Sequence, residues 1–255
     1  MTRAEWEALP WHREIRILDH GEDWVAVEKT AGLLSHPNEP RDRRRSLLAA
    51  EWIPGEEAYA VAGLPGGRLG LCHRLDGPTS GVLVLAAGEA AAWFRGEFEA
   101  GRMTKVYRAV AVGRPRQRSF AWRDRLVKER GEGTVRVRVG KGEGAFAEIR
   151  GREIAFRREG LPLTLLRLEP GTGRTHQIRA QAARHGLPVL GDRNYGDFRA
   201  NRSFRQRGGS DRLFLHAERL SWRRAGESRS VASPPPPEFA GLFPGTGASG
   251  KRAGR

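Results

Sequence analysis

Hydrophobic and polar residues alternate in short runs over most of this chain, and few stretches keep the 3.6-residue spacing of a helix. Apolar runs around Ile15–Ile17 and Trp24–Val27 flank the turn-like segment 20–23, which predicts a hairpin over residues 15–29. A loop is expected over 31–45. Residues 69–71 and 82–86 read as short buried strands on either side of a polar bend at Asp76, Gly77 and Pro78. Further strands are expected at 104–112, at 134–139 (valine alternating with arginine, one face apolar and one basic), at 161–168 and at 213–222. Helical spacing is confined to 89–99, ended by Gly101, and to 175–185, with Thr175 as N-cap and Gly186 and Pro188 beyond its end. The prolines at 234–237 end ordered structure or stiffen a connection. The Gly, Ala, Arg and Lys composition of 245–255 predicts a disordered basic tail. With strands outnumbering helices, the expected fold is α+β: a mixed, mostly antiparallel sheet flanked by helices around a central cleft.

Charge narrows the partner. Lys and Arg total 45 against 30 Asp and Glu, a net charge of +15. An excess of this size points to a polyanion, and the predominance of Arg, whose planar fork fits phosphates and base edges, points to nucleic acid. Basic clusters at 41–45, 123–130 and 202–212 can track phosphates, although each alone is equally a solvated face. The single cysteine, Cys72, excludes an internal disulfide and multi-cysteine metal clusters, and Cys72 beside His73 makes no chelating face. Glycine-rich 140–144 lacks phosphate-loop spacing and reads as a hairpin turn. No apolar run approaches the roughly 20 residues of a membrane helix. A soluble, cytoplasmic monomer is expected, with no metal and no other cofactor.

The chemistry concentrates in His73-Arg74-Leu75-Asp76-Gly77-Pro78-Thr79-Ser80-Gly81, which runs directly into the apolar 82–85. A carboxylate is thereby held on a loop between buried strands. That placement suits a nucleophile if a cation keeps it ionised; by itself an Asp in a Gly-Pro turn is more often a cap.

Context reverses that weighting. The block 73–81 resembles in full the His-Arg-Leu-Asp and Thr-Ser-Gly motif of the RluA family of RNA pseudouridine synthases. Gly171-Thr172-Gly173-Arg174-Thr175-His176-Gln177-Ile178-Arg179 and Pro188-Val189-Leu190-Gly191-Asp192 resemble its later motifs, in family order. Residues 23–37 resemble its opening block, with Thr30 where proline is usual, and Lys105-Val106-Tyr107-Arg108 resembles the strand that carries the family's tyrosine. The resemblance spans 15–220. It implies a catalytic domain over 15–243, an N-terminal extension over 1–14, the basic tail from 244, and no S4-like RNA-binding domain.

The resemblance also implies the reaction: uracil is detached from its ribose, rotated and rejoined through carbon, without a cofactor. Asp76 matches the nucleophile, attacking the ribose C1′ or the uracil C6; Arg179 matches the buried arginine paired with it; Tyr107 would stack on the base and take the C5 proton. Ile178 would wall the uracil from below. His73 and Arg74 would brace the gap left by a flipped-out uridine. Arg174 would meet phosphate or cap its loop, and His176 and Gln177 complete the substrate-binding set. Residues 191–202 and 213–217 are similar to the tRNA-modifying branch, which favours a tRNA uridine over one in large-subunit ribosomal RNA. A reading of another class is a non-catalytic RNA-binding or ribosome-assembly protein, against which stand the intact Asp76, Tyr107 and Arg179. An aspartate-nucleophile hydrolase would need a second carboxylate for Mg²⁺, and none lies within ten residues of Asp76.

Overall fold

A computed structural model of the chain describes residues 1–131, 134–140 and 143–244. In chain order, α1 (Arg3–Glu7) precedes the strands β1 (Arg16–His20) and β2 (Trp24–Lys29). Then come β3 (Trp52–Ile53), β4 (Ala58–Ala60), β5 (Arg68–Leu71), β6 (Ser80–Ala86) and α2 (Gly88–Glu99). The next stretch is β7 (Thr104–Val112), β8 (Ser119–Gly131), β9 (Thr134–Gly140), β10 (Ala145–Arg157) and β11 (Leu163–Pro170). Last are α3 (Gln177–Arg184), α4 (Phe198–Gln206), β12 (Leu215–Arg224), β13 (Glu227–Ala232) and α5 (Pro237–Gly241).

The described strands form one 13-stranded sheet in the order β3-β4-β5-β6-β12-β7-β11-β10-β8-β9, with β1 and β2 joined through β6 and β13 joined to β12. Among them every pairing is antiparallel except β6 with β12. The expected α+β class is therefore the observed one. Strand β6 holds the centre because all seven of its residues are buried, as a strand covered on both faces requires. One row of partners crosses the middle of the sheet: Gly81 on β6 faces Ala217 on β12, Ala217 faces Tyr107 on β7, and Tyr107 faces Leu168 on β11. At Gly81 the backbone has φ +120°, and a Cβ there would stand 2.2 Å from the Ala217 carbonyl oxygen, so only glycine lets these strands close.

Several elements add to or differ from these expectations. Residues 1–14 pack on the body through Trp6, which is fully buried with Val25, Leu83 and Leu85 and whose indole donates to the Gly21 carbonyl at 3.0 Å. The long strands β8 and β10 went unforeseen because Arg, Lys and Glu crowd their exposed positions, and because in β10 apolar Phe146 and Ile154 are exposed while small Ala147, Gly151 and Ala155 are buried. The turn expected at 140–144 falls on Lys141 and Gly142, which lie outside the described residues; the strands on either side, β9 and β10, each pair with β8. Order also continues past the prolines, since α5 sends Phe239 into a core cluster with Phe214 and Leu190, and Phe243 packs there too. The tail 245–255 lies outside the described residues. No described helix is long and apolar enough to cross a membrane.

Gly81→Ala is expected to cost about 3 kcal/mol, from a strained φ and a clash with backbone that cannot move aside. That corresponds to a melting temperature lowered by roughly 6–12 °C for a chain of this size. Calorimetry showing an unchanged melting temperature would contradict the close approach.

Candidate active site

Asp76 sits on the connection between β5 and β6, and that connection is clamped from both sides. Ahead of it, the Leu75 N–H donates to Ser35 Oγ at 3.1 Å and the Ser35 hydroxyl donates back to the Leu75 carbonyl at 2.9 Å. Ser35 is in turn fixed by the Tyr59 hydroxyl, which donates to its carbonyl at 2.8 Å. Behind it, the Gly77 carbonyl accepts from Lys29 Nζ and from the Gly32 N–H, both at 2.9 Å. The Thr79 N–H closes the turn onto the Asp76 carbonyl at 2.9 Å.

Lys29 was not foreseen as a site residue. It ends β2 fully buried, and its three ammonium protons go to the carbonyls of Gly77, Leu33 (2.6 Å) and Thr30 (3.1 Å). Burial pushes its pKa down to about 7, with Asp76 pulling the other way. Thr30, standing where the opening block carries proline, anchors its loop by a side-chain bond instead, donating from Oγ1 to Glu14 at 2.9 Å.

Helix α3 delivers the cation. Arg179 is 4% exposed and spans two carboxylates: Nη1 donates to Asp76 Oδ2 at 2.9 Å, while Nε and Nη2 form a bidentate pair with Asp192 at 2.7 and 2.9 Å. Asp192, 1% exposed, also accepts the Asn194 and Tyr195 N–H groups at 2.8 and 3.0 Å. Burial works to raise the Asp192 pKa, but the Arg179 bonds and charge, with the two backbone donors, outweigh it and hold the carboxyl below its usual range. Burial likewise opposes the Arg179 charge, and Asp192 and Asp76 overcome it, so the guanidinium is more firmly protonated than usual. Asp192 belonged to a recognised block, but nothing in its spacing said that it would orient Arg179.

The tautomer of His176 is set by its neighbours. Tyr195 Oη accepts the Val137 N–H at 2.8 Å, so its own proton is available to His176 Nδ1, 2.9 Å away. The other ring nitrogen, Nε2, then carries hydrogen and faces Asp76 Oδ1 at 3.9 Å. Burial, chiefly, lowers the His176 pKa and keeps the ring neutral. The residue has a left-handed backbone, φ +51°, and is itself the N-cap of α3. Thr175, expected as the cap, therefore lies one residue too early. Gln177 takes over that work, accepting at Oε1 from Thr172 Oγ1 (2.8 Å) and the Arg174 N–H (3.0 Å) and donating to the Glu148 carbonyl (3.0 Å). It braces the loop ahead of α3.

Around this centre an open cleft of about 500 Å³ is lined by Asp76, Lys105, Tyr107, His176, Ile178 and Arg179, among others. Ile178 is 7% exposed and packs with Leu168 and Leu215 beneath it. Tyr107 stands on β7 between two core clusters, and burial together with Asp76 raises its pKa, so the phenol is neutral. Lys105, two residues earlier, donates to the Thr172 carbonyl at 3.1 Å, and burial lowers its pKa to about 8.

The cleft opens into a wider groove of about 2070 Å³ that takes in His73, Arg74 and Arg174. Arg74 and Arg174 are exposed on its rim. His73 is tied inward: Nε2 accepts the Val84 N–H at 3.1 Å, the ring lies 4.3 Å from Phe98, and burial, with Lys105 behind it, lowers the pKa to about 3. Of the basic clusters, 41–45 is exposed, whereas Arg212 is spent internally on Ser80 and on the Leu213 carbonyl. Among the described residues no three His, Cys, Asp or Glu side chains converge on a point that could hold a metal.

A family model described as RNA pseudouridylate synthase matches residues 23–184. The chain is 32% identical over 218 residues to a tRNA pseudouridine synthase C of Yersinia pestis, covering 81% of this chain and 80% of that one. It is 34% identical over 209 residues to one of Salmonella typhimurium, covering 77% and 75%. Among solved structures, human RNA pseudouridylate synthase domain containing 1 superposes with a TM-score of 0.64 at 26% identity, over 87% of this chain and 83% of that one.

Asp192 has a depressed folded-state pKa, so its contribution to stability is full above the unfolded carboxylate value of about 4 and is lost as pH falls through the folded value. Urea unfolding followed from neutral to acid pH is expected to show that loss. Asp192→Asn, which leaves Arg179 half-paired, is expected to be about 3 kcal/mol less stable at pH 7 and to fall less steeply in acid. Parallel pH profiles for the two proteins would show that Asp192 is not the titrating group.

Proposed function

The chain belongs to the RNA pseudouridylate synthase family and is a pseudouridine synthase acting on RNA, and from that premise we propose that Asp76 is its nucleophile, Arg179 the cation that aims it, and Tyr107 the residue that stacks on the base. The observation that carries this assignment is the Arg179 bridge. With Oδ2 held by Nη1, Oδ1 is the carboxylate oxygen left toward the cleft, where His176 Nε2 approaches no nearer than 3.9 Å.

In the proposed sequence, Oδ1 adds to the ribose C1′ or to uracil C6 of a flipped-out uridine, and the C1′–N1 bond breaks. The detached base turns between Tyr107 and Ile178, C5 bonds to C1′, and Asp76 is released. The C5 proton leaves and N1 gains one, so the reaction is a net isomerisation. Because the Tyr107 phenol is neutral, it takes the C5 proton on oxygen as its own proton passes to solvent at the open side of the cleft. In this reading Arg74 and Arg174, exposed on the rim of the groove, meet phosphates flanking the target.

The substrate we favour is a uridine in tRNA. Several relatives named tRNA pseudouridine synthase C support this, each at 30–34% identity over more than three-quarters of this chain. The N-terminal helix shares the catalytic core, so the unit we assign to this activity begins before residue 15.

Tritium release from C5-labelled uridine in separate tRNA and ribosomal-RNA pools is the test. Release from the tRNA pool by the wild type, with a loss of at least about 10³-fold in Asp76→Asn at unchanged RNA affinity, is expected. Turnover retained in that variant would refute the assignment of the nucleophile, and release from ribosomal RNA alone would refute the substrate.

A further inference from the structure

Beyond Arg74 the groove continues to a place that the reaction does not use. The wide groove holding Asp76 also takes in His36 and Asn38, and Asn38 in turn lines a second opening of about 810 Å³ with Arg43, Glu51 and Trp52. The path from the reacting carboxylate to this opening is continuous along one stretch of chain.

The aromatic wall of the opening is built and oriented. His36 stacks on Trp52 with ring centroids 4.8 Å apart and planes 12° from parallel, and Tyr59 meets the indole edge-on at 5.0 Å. The His36 tautomer is fixed: Nδ1 donates to the Pro37 carbonyl at 3.1 Å, which leaves Nε2 to accept from Arg74 Nη1 at 3.2 Å. Arg74 is thereby tied to the same stack that walls the second opening. The 3₁₀ turn Pro40–Arg45 alongside carries Arg43, Arg44 and Arg45 with no buried residue. Two carboxylates are also present, Glu39, paired with Arg41 at 2.8 Å, and Glu51, which lines the opening.

We propose that this opening is a second nucleotide subsite, in which an unpaired base of the bound RNA stacks on Trp52 with its phosphate toward Arg43 and its exocyclic amino group toward Glu51. The inference rests on RNA being the substrate. A platform of stacked rings edged by arginines is how single-stranded nucleic acid is held, and any base satisfies the stacking. Glu51 adds selection. A carboxylate repels phosphate but accepts from the amino group of cytosine, adenine or guanine, and uracil has none to offer. The subsite therefore discriminates against the base that the reacting cleft accepts, which would keep a neighbouring uridine from occupying it in a wrong register.

The test is equilibrium binding of short single-stranded oligocytidylate and oligouridylate, which requires no turnover and so fails or succeeds independently of the synthase assignment. Oligocytidylate is expected to bind the wild type more tightly than oligouridylate does. Trp52→Ala is expected to weaken oligocytidylate about tenfold, Trp52→Phe by less than about twofold, and Glu51→Gln to bring the two oligomers closer together. Because Trp52 also packs on Tyr59, Arg43→Glu serves as a second variant at an exposed position and is expected to weaken both oligomers severalfold. Oligocytidylate binding unchanged in both Trp52→Ala and Arg43→Glu would overturn the subsite. Equal affinity of the two oligomers for the wild type would overturn the selection by Glu51.

Discussion

One buried guanidinium shared between two carboxylates organises the centre of this protein. A lone Arg179 at that depth would be costly, and a single carboxylate would leave a neutral pair with little tendency to react. Asp192 supplies the compensation in full, by a planar bidentate pair reinforced by two backbone donors, and so fixes the direction of the remaining Nη1. Asp76 receives that one bond. The cluster of Asp76, Asp192 and Arg179 keeps one excess negative charge, and its more accessible carboxylate is Asp76, with a quarter of its side chain exposed. Orientation is thus separated from neutralisation: one aspartate holds the arginine, and the other is held by it without being quenched.

The rest of the fold serves this arrangement. Helix α3 must start where it does for Arg179 to reach both partners, and Gln177 and the left-handed His176 fix that start. The Asp76 loop is pinned by Ser35 ahead and by Lys29 behind, so the carboxylate proposed as nucleophile is positioned by main chain as well as by its ion pair. Sub-ångström placement of a reacting group is what such double fixing achieves, and it is worth more to rate than any single contact is to stability. The groove, by contrast, is rimmed by exposed arginines, which suits a large polyanion that must enter and leave.

Much of this was legible beforehand, for identifiable reasons. The run 73–81 combines a carboxylate, a turn and a buried strand, which alone reads as a capped turn, and its full match to the family motif is what singles out Asp76. Tyr107 and Arg179 were found through their sequence blocks; the sheet puts Tyr107 in the row that holds Gly81, with Ala217 between them, while α3 brings Arg179 to Asp76. Lys29 and Asp192 were not assigned roles, because a lysine at the end of an apolar strand reads as an exposed terminus and an aspartate after glycine reads as a turn. Their function lies in partners 48 and 13 residues away. Gln177, expected in the substrate-binding set through its motif, has its amide engaged with the loop ahead of α3, a role its spacing did not announce. His73, expected at the flipped-base gap, lines the groove while its Nε2 accepts from β6, a tie that the motif alone did not announce. Strands β8 and β10 escaped because arginine and glutamate on an exposed face obscure the alternation beneath them.

The position of β12 has a consequence for how the protein is made. Strand β6, which follows Asp76, and strand β7, which carries Tyr107, do not pair with each other; β12, from near the C-terminus, lies between them, parallel to β6 and antiparallel to β7. The same late segment is tied to the start of the chain by Arg224 with Asp23 and by Ser233 with Glu28. During synthesis, β6 and β7 therefore leave the ribosome with open edges and wait for more than a hundred residues before the strand that joins them emerges. Such long-range closure is slow, and exposed edges in the interval invite pairing with other chains. No nascent fragment short of β12 can hold the reacting groups in register, so RNA meets a competent site only once nearly the whole chain has folded.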